Sequence, residues 1–175
     1  LQRRDLLQRS KRHGFIIEVH YQDPVAHSVG QNEIALLHLQ SLQHRGQESA
    51  GIAVSDGHQT VVYKDMGLPK DVAKKYGLAH MQGSHAIGHT RMATESAVTT
   101  EHSHPFTPAP DMCLVHNGSL SNHNNLRKWL KKQGQSFDTD NDSEVAARYF
   151  AHRLAEGATL KEAMEGDNAE KIRAR

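Results

Sequence analysis

Three short strings in this chain carry side chains suited to a small charged molecule. His89-Thr90-Arg91 closes an apolar run at Ala86-Ile87-Gly88, and His116-Asn117-Gly118 follows a second run at Met112-Cys113-Leu114-Val115. Asp142 closes the acidic stretch FDTDND. An arginine just past a strand end can grip a carboxylate through two parallel N–H···O bonds, fixing position and orientation together. The plainer role is a weak surface ion pair. An asparagine amide and a glycine N–H aimed at one point can stabilise the oxyanion that forms on a carbonyl during acyl transfer. The plainer role is a turn, because Asn-Gly is a strong turn dipeptide. Asp142 could bind an ammonium group or cap the helix that follows. Together, Arg91 and Asp142 suit the two charged ends of an α-amino acid, with Asn117 and Gly118 at its side-chain carbonyl.

Such a site needs rigid elements to deliver it. Residues 14–20, rich in β-branched and aromatic side chains, read as a first strand. Residues 31–43 have helical apolar spacing, with Asn32 as a cap and a stop near Gly46. Two runs at 50–54 and 60–64, joined through Asp56-Gly57, predict a hairpin. A helix is expected over 69–80, opening on Pro69. Pro105, Pro108 and Pro110 make the intervening loop unfit for helix or central strand. Helices follow at 121–132, with Leu126, Trp129 and Leu130 on one face, and at 143–156. Thr159 and Glu162 make a capping box for a last helix. Strands first and helices after predict an α+β fold. Residues 1–13 read as a charged extension, 14–166 as the folded domain and 167–175 as a charged tail.

Composition narrows the function. The 175 residues hold 21 lysines and arginines against 20 aspartates and glutamates, so charge gives no reason to expect nucleic acid. No apolar run is long enough to span a bilayer, and the basic start has no apolar segment behind it as a secretory signal would. One cysteine excludes an internal disulfide and fits a cytoplasmic setting. There are 14 histidines. His102 and His104 have a ligand-like His-x-His spacing with His116 beyond, but no carboxylate partner is evident, and no metal is expected. No Gly-rich phosphate loop or flavin site is seen, so no cofactor is expected.

Four strings in order resemble the class II glutamine amidotransferases, whose glutaminase domain is of the N-terminal-nucleophile hydrolase type. They are residues 42–51 (LQHRGQESAG), 88–94 (GHTRMAT), 116–118 (HNG) and 141–145 (NDSEV), with His104-Pro105 at a matching place. The first string looks like the amidophosphoribosyltransferase branch. The stretch GHTRMATESAVTTEHSHPF looks closer to glutamate-synthase-like and N-methylglutamate-synthase subunits, and the choice of branch stays open. The resemblance covers about residues 14–165. It implies a four-layer αββα sandwich of antiparallel sheets, incomplete here at the C-terminal end, because the family continues into further strands. It implies that Arg91 binds the glutamine α-carboxylate with Thr94 nearby, that Asp142 binds the α-ammonium, and that Asn117 and Gly118 form the oxyanion hole. Arg45 and His104 would support the site. The activity implied is hydrolysis of glutamine to glutamate and ammonia, with the ammonia passed to a partner synthase.

The sequence departs from the family at the nucleophile, an N-terminal cysteine at the head of the first strand. Cys113 lies instead in the strand before His116, where a small buried hydrophobe is its plain role. Aligning Gly14-Phe15-Ile16-Ile17 with the family's first strand puts His13 at the nucleophile position, or Lys11 or Arg12 on a shift. The nucleophile is therefore not identified. A fragment, an inactivated variant and a natural glutamine-binding pseudo-amidotransferase are the three readings of that departure.

Overall fold

A computed structural model describes residues 17–20, 39–81, 83, 85–92 and 97–165. Four strands form one antiparallel sheet in the order β1-β4-β2-β3: β1 is Ile17–His20, β2 Ser49–Ser55, β3 Thr60–Met66 and β4 His85–Arg91. The expected hairpin is β2–β3. Its turn is tied by the Asp56 carboxylate, which accepts the N–H groups of His58 at 2.8 Å and Gln59 at 2.9 Å. Most of the expected 31–43 helix lies outside the described residues; 39–41 are helical.

The period of two along a strand gives this sheet two different faces. Ala50, Ile52 and Val54 face one way and pack with Leu39, Val72, Ala73, Leu78 and Ala86 into an apolar cluster. Each valine, leucine or isoleucine side chain fully buried there contributes roughly 1.5–3 kcal/mol. Part of the cover is α1, Pro69–Tyr76. It stops earlier than the expected residue 80, because Gly77 takes a left-handed φ of 63° and its N–H bonds back to Ala73. A single 3-10 turn at Leu78–His80 then carries Leu78 into the core. Residues 49 and 51 of β2 belong to the other face. Their partners are Arg91 and His89 on β4, and Lys64 pairs with Gly51 from β3. That face is polar and carries Arg91 and His89, two residues of the candidate site.

A second, two-stranded antiparallel sheet pairs β5, Phe106–Ala109, with β6, Met112–Leu114. β5 departs from the loop expected around Pro105, Pro108 and Pro110, because a strand with Pro108 inside it has no signature in the sequence. The ladder tolerates the proline through a register irregularity between Phe106 and Ala109. Helices α2 (His123–Lys132) and α3 (Asp142–Ala155) pack through Leu126, Leu130, Val145 and Tyr149, with Trp129 and Phe137 against them. Antiparallel sheets with flanking helices make the fold α+β, as the order of elements implied.

Helix α4, Leu160–Glu165, has the capping box that the sequence predicts. The Thr159 hydroxyl accepts the Glu162 N–H at 3.2 Å, and the Glu162 carboxylate accepts the Thr159 N–H at 2.8 Å. Thr159→Ala is expected to lower stability by about 1 kcal/mol in urea unfolding. An unchanged midpoint would show that α4 adds nothing to the cooperative unit.

Candidate functional site

The polar cluster of β4 lies within the strand. His89, Thr90 and Arg91 are strand residues, each about 95 % buried at 5 %, 4 % and 5 % exposure. The strand runs on because β4 is central, and Ser49 still pairs opposite Arg91. The Arg91 guanidinium donates to the Ala97 carbonyl at 2.9 Å. Burial pulls its pKa down, against the charges of Glu48 and Asp140. Gly46, from the first motif, lies flat on this strand end, and a Cβ there would come within 2.7 Å of the Arg91 carbonyl carbon. That close approach is a physical reason for glycine in the string HRG.

His104 covers the same face. Its carbonyl sits over Gly51, where a Cβ would meet it at 2.0 Å. Its ring lies 4.2 Å from the His89 ring and 4.9 Å from Phe106, centroid to centroid. The His104-Pro105 peptide is cis. Both imidazoles are buried, and neither has a hydrogen-bond partner among the described residues. Burial, followed by the nearby Arg91 and His116, lowers the His89 pKa to about 4. Burial also takes His104 well below the ordinary value, helped by the charges of His89 and His116. The His89 imidazole should therefore stay neutral from pH 5 to 8 by NMR titration, and His104 should take up its proton only well below the ordinary histidine range. Because their folded pKa values are depressed, the unfolded chain takes up protons first, so stability falls as the pH drops from about 6.5 towards 4. A His89 signal titrating near 6.5 would contradict this.

The third component comes from α3. Asn141 caps the helix by accepting the Ser143 N–H at 2.8 Å, so the capping role considered for Asp142 falls to its neighbour. Asp142 is the first helical residue. Its carboxylate accepts the Leu120 N–H at 2.7 Å and the Ser143 hydroxyl at 3.3 Å. His116 Nδ1 lies 3.0 Å from the same hydroxyl. The string 116–118 is thus docked on the N-terminus of α3. Asn117 is half-buried, and Gly118 is exposed with φ 154°, a conformation that L side chains rarely adopt.

The structure links Arg91, His104, His116 and the Asp142 end of α3 through a run of neighbouring contacts. His89 feels the charges of Arg91 and His116, and His116 shares Ser143 with Asp142. Thr94 and the Arg45 side chain lie outside the described residues. The carboxylate partner for His102 that sequence reasoning did not see is Asp140, 2.6 Å from Nε2, with the Thr99 hydroxyl 2.9 Å from Nδ1. Among the described residues no three His, Cys, Asp or Glu side chains are grouped to hold a metal ion. Cys113 is half-buried on β6, and burial raises its thiol pKa. Sequence reasoning also missed Lys64 and Glu144, which fasten the loops around the site. A cavity of about 260 Å³ lies between them, walled by Glu101, Phe106, Asp138 and Arg148. Arg91, Asn117 and Asp142 do not line it.

Comparison with known proteins agrees with the motifs. Residues 89–172 match a glutamine amidotransferase domain model. Over 110 residues the chain is 56 % identical to the glutamine amidotransferase-like protein GlxB of Rhizobium meliloti, covering 63 % of this chain and 36 % of that protein. Over 128 residues it is 38 % identical to the amidophosphoribosyltransferase of Methanocaldococcus jannaschii, covering 71 % of this chain and 27 % of the relative. Among solved structures it is similar to the glutamine phosphoribosylpyrophosphate amidotransferase of B. subtilis, with TM-score 0.65 and 36 % identity over 77 % of this chain and 29 % of that one. The chain thus spans about a third or less of the length of these relatives.

Proposed function

We propose that this chain, which carries the sequence and structural likeness of a glutamine amidotransferase domain, binds glutamine at the junction of β4, the 116–118 segment and α3. Arg91 holds the α-carboxylate and Asp142 the α-ammonium. Asn117 and Gly118 attend to the side-chain carbonyl, where an oxyanion would form. Thr94, His104 and Arg45 support the pocket. The observation that carries this reading is the run of contacts joining the motifs. Arg91 and His89 lie on one strand, and His89 stacks on His104. His116 acts electrostatically on both imidazoles and shares the Ser143 hydroxyl with Asp142. That run of contacts between elements far apart in the chain supports a site with a cation, an anion and amide donors, as an amino acid with a side-chain amide requires.

In the active form of this reading, glutamine is hydrolysed to glutamate and ammonia, and a synthase subunit or domain takes up the ammonia. The full fold is then the four-layer αββα sandwich. A second reading, binding without hydrolysis, is favoured by one observation. Cys113, the cysteine of this sequence, is half-buried in β6 with a raised thiol pKa, which disfavours the thiolate a nucleophile needs. Calorimetry with glutamine and an ammonia-release assay on the same preparation separate the two. Binding with turnover supports the first and binding alone the second, while no binding at saturating concentration defeats both.

A further inference from the structure

Lys64 stands on β3, directly across from Gly51 and on the polar face of the sheet. Among the described residues its ammonium bonds to no atom of its own sheet. All three ammonium hydrogens are taken by one loop: the carbonyls of Ser103 at 2.7 Å, Pro105 at 3.2 Å and Glu101 at 3.3 Å. Three donors meet three acceptors, which is the full capacity of a lysine. The ammonium also lies 5.0 Å from the centroid of the Phe106 ring, over its face. Two of the three carbonyls bracket His104 in sequence. The floor beneath is Gly51, whose missing side chain leaves room for both neighbours. A Cβ there would come within 2.7 Å of Lys64 Cβ and 2.0 Å of the His104 carbonyl oxygen.

We infer that Lys64 is a positioning residue for the candidate site: by clamping the carbonyls of residues 101–105 it fixes where the His104 ring meets His89, beside Arg91. This rests on the glutamine-binding reading for its functional consequence, though not for its structural one. Without the ammonium, the three carbonyls of a turn lying over a buried face lose their common donor. The His104 ring has no hydrogen bond of its own among the described residues to hold it in place. Methionine, of similar length, cannot replace the clamp, because it has no N–H groups to give.

The test is Lys64→Met in the full chain, read in two ways. Histidine ring NMR is expected to show the His89 and His104 signals displaced or broadened while the protein remains folded. Glutamine Kd by calorimetry is expected to rise about tenfold, a usual size for loss of a group that orients a binding side chain. Lys64→Arg, which keeps a cationic donor, should restore the ring signals and bring Kd back most of the way. Unchanged histidine signals and a Kd within twofold of wild type in folded Lys64→Met would overturn the inference. If Lys64→Met does not fold, Lys64→Gln, which is shorter and brings two N–H groups to three carbonyls, is expected to displace the ring signals and raise Kd in part, and unchanged signals with a Kd within twofold of wild type would overturn the inference. If the unmodified chain binds no glutamine, the functional reading falls and the ring signals alone decide the role of Lys64.

Discussion

Arg91→Ala is expected to raise the Kd for glutamine by at least about 100-fold, roughly 3 kcal/mol, in calorimetry at neutral pH. On the reading proposed above, Arg91 is the cation for the ligand carboxylate. Its burial at 5 % exposure makes that pairing stronger than a surface ion pair. Its strand is central and its backbone is held by Ser49 on β2, so the side chain leaves from a fixed point. Arg91→Lys keeps the charge but loses the planar fork, and should cost about tenfold. Alanine also removes one of the charges that keep a proton off His89, so the pKa of His89 should move upward from about 4. That second readout shows that the variant is folded and that the environment of the site has changed. A folded Arg91→Ala protein with wild-type affinity would remove Arg91 from the ligand.

The parts of this molecule legible in the sequence are those set by local chemistry. Pro69 opens a helix, Asp56-Gly57 closes a hairpin and Thr159 with Glu162 makes a capping box; each depends on residues a few positions apart. The motif strings were legible for another reason: their glycines answer to packing. Gly46 admits the backbone of Arg91, and Gly51 admits the carbonyl of His104. What could not be read depends on distant partners. The strand β5 was hidden by Pro108, which only its edge-like setting and an irregular register accommodate. Lys64 reads as an ordinary charge on an alternating strand until the loop nearly forty residues later folds over it. Asp142 has the sequence setting of a cap, whereas the cap is Asn141 and Asp142 reaches back to Leu120.

Glu144 illustrates the same point and carries the largest expected effect on stability. It was not singled out in the sequence, yet it is 4 % exposed and accepts four hydrogen bonds. They come from the Asp138 N–H at 2.9 Å, the Thr139 N–H at 2.7 Å, the Thr139 hydroxyl at 2.7 Å and Arg148 Nε at 2.8 Å. Burial pushes its pKa up, but these donors outweigh burial and leave it below the ordinary carboxylate value. Glu144→Ala strands two backbone N–H groups and a hydroxyl, and leaves Arg148 with the exposed Asp138 as its hydrogen-bond partner among the described residues. The expected loss is about 3–5 kcal/mol in denaturant unfolding, a large share of the stability of a domain of this size. Glu144→Gln keeps one carbonyl acceptor and should lose roughly 1–3 kcal/mol. Because the folded pKa is depressed, the contribution is present above the ordinary carboxylate range and is lost as pH falls through the folded value. The gap between wild type and Glu144→Gln should therefore narrow in acid. The consequence reaches the site, because the turn held by Glu144 runs into Asp140, the partner of His102, and into the Asn141 cap that starts α3 at Asp142. Weaker glutamine binding should accompany the stability loss in Glu144→Gln. A gap that does not change with pH would mean that the carboxylate charge plays no part.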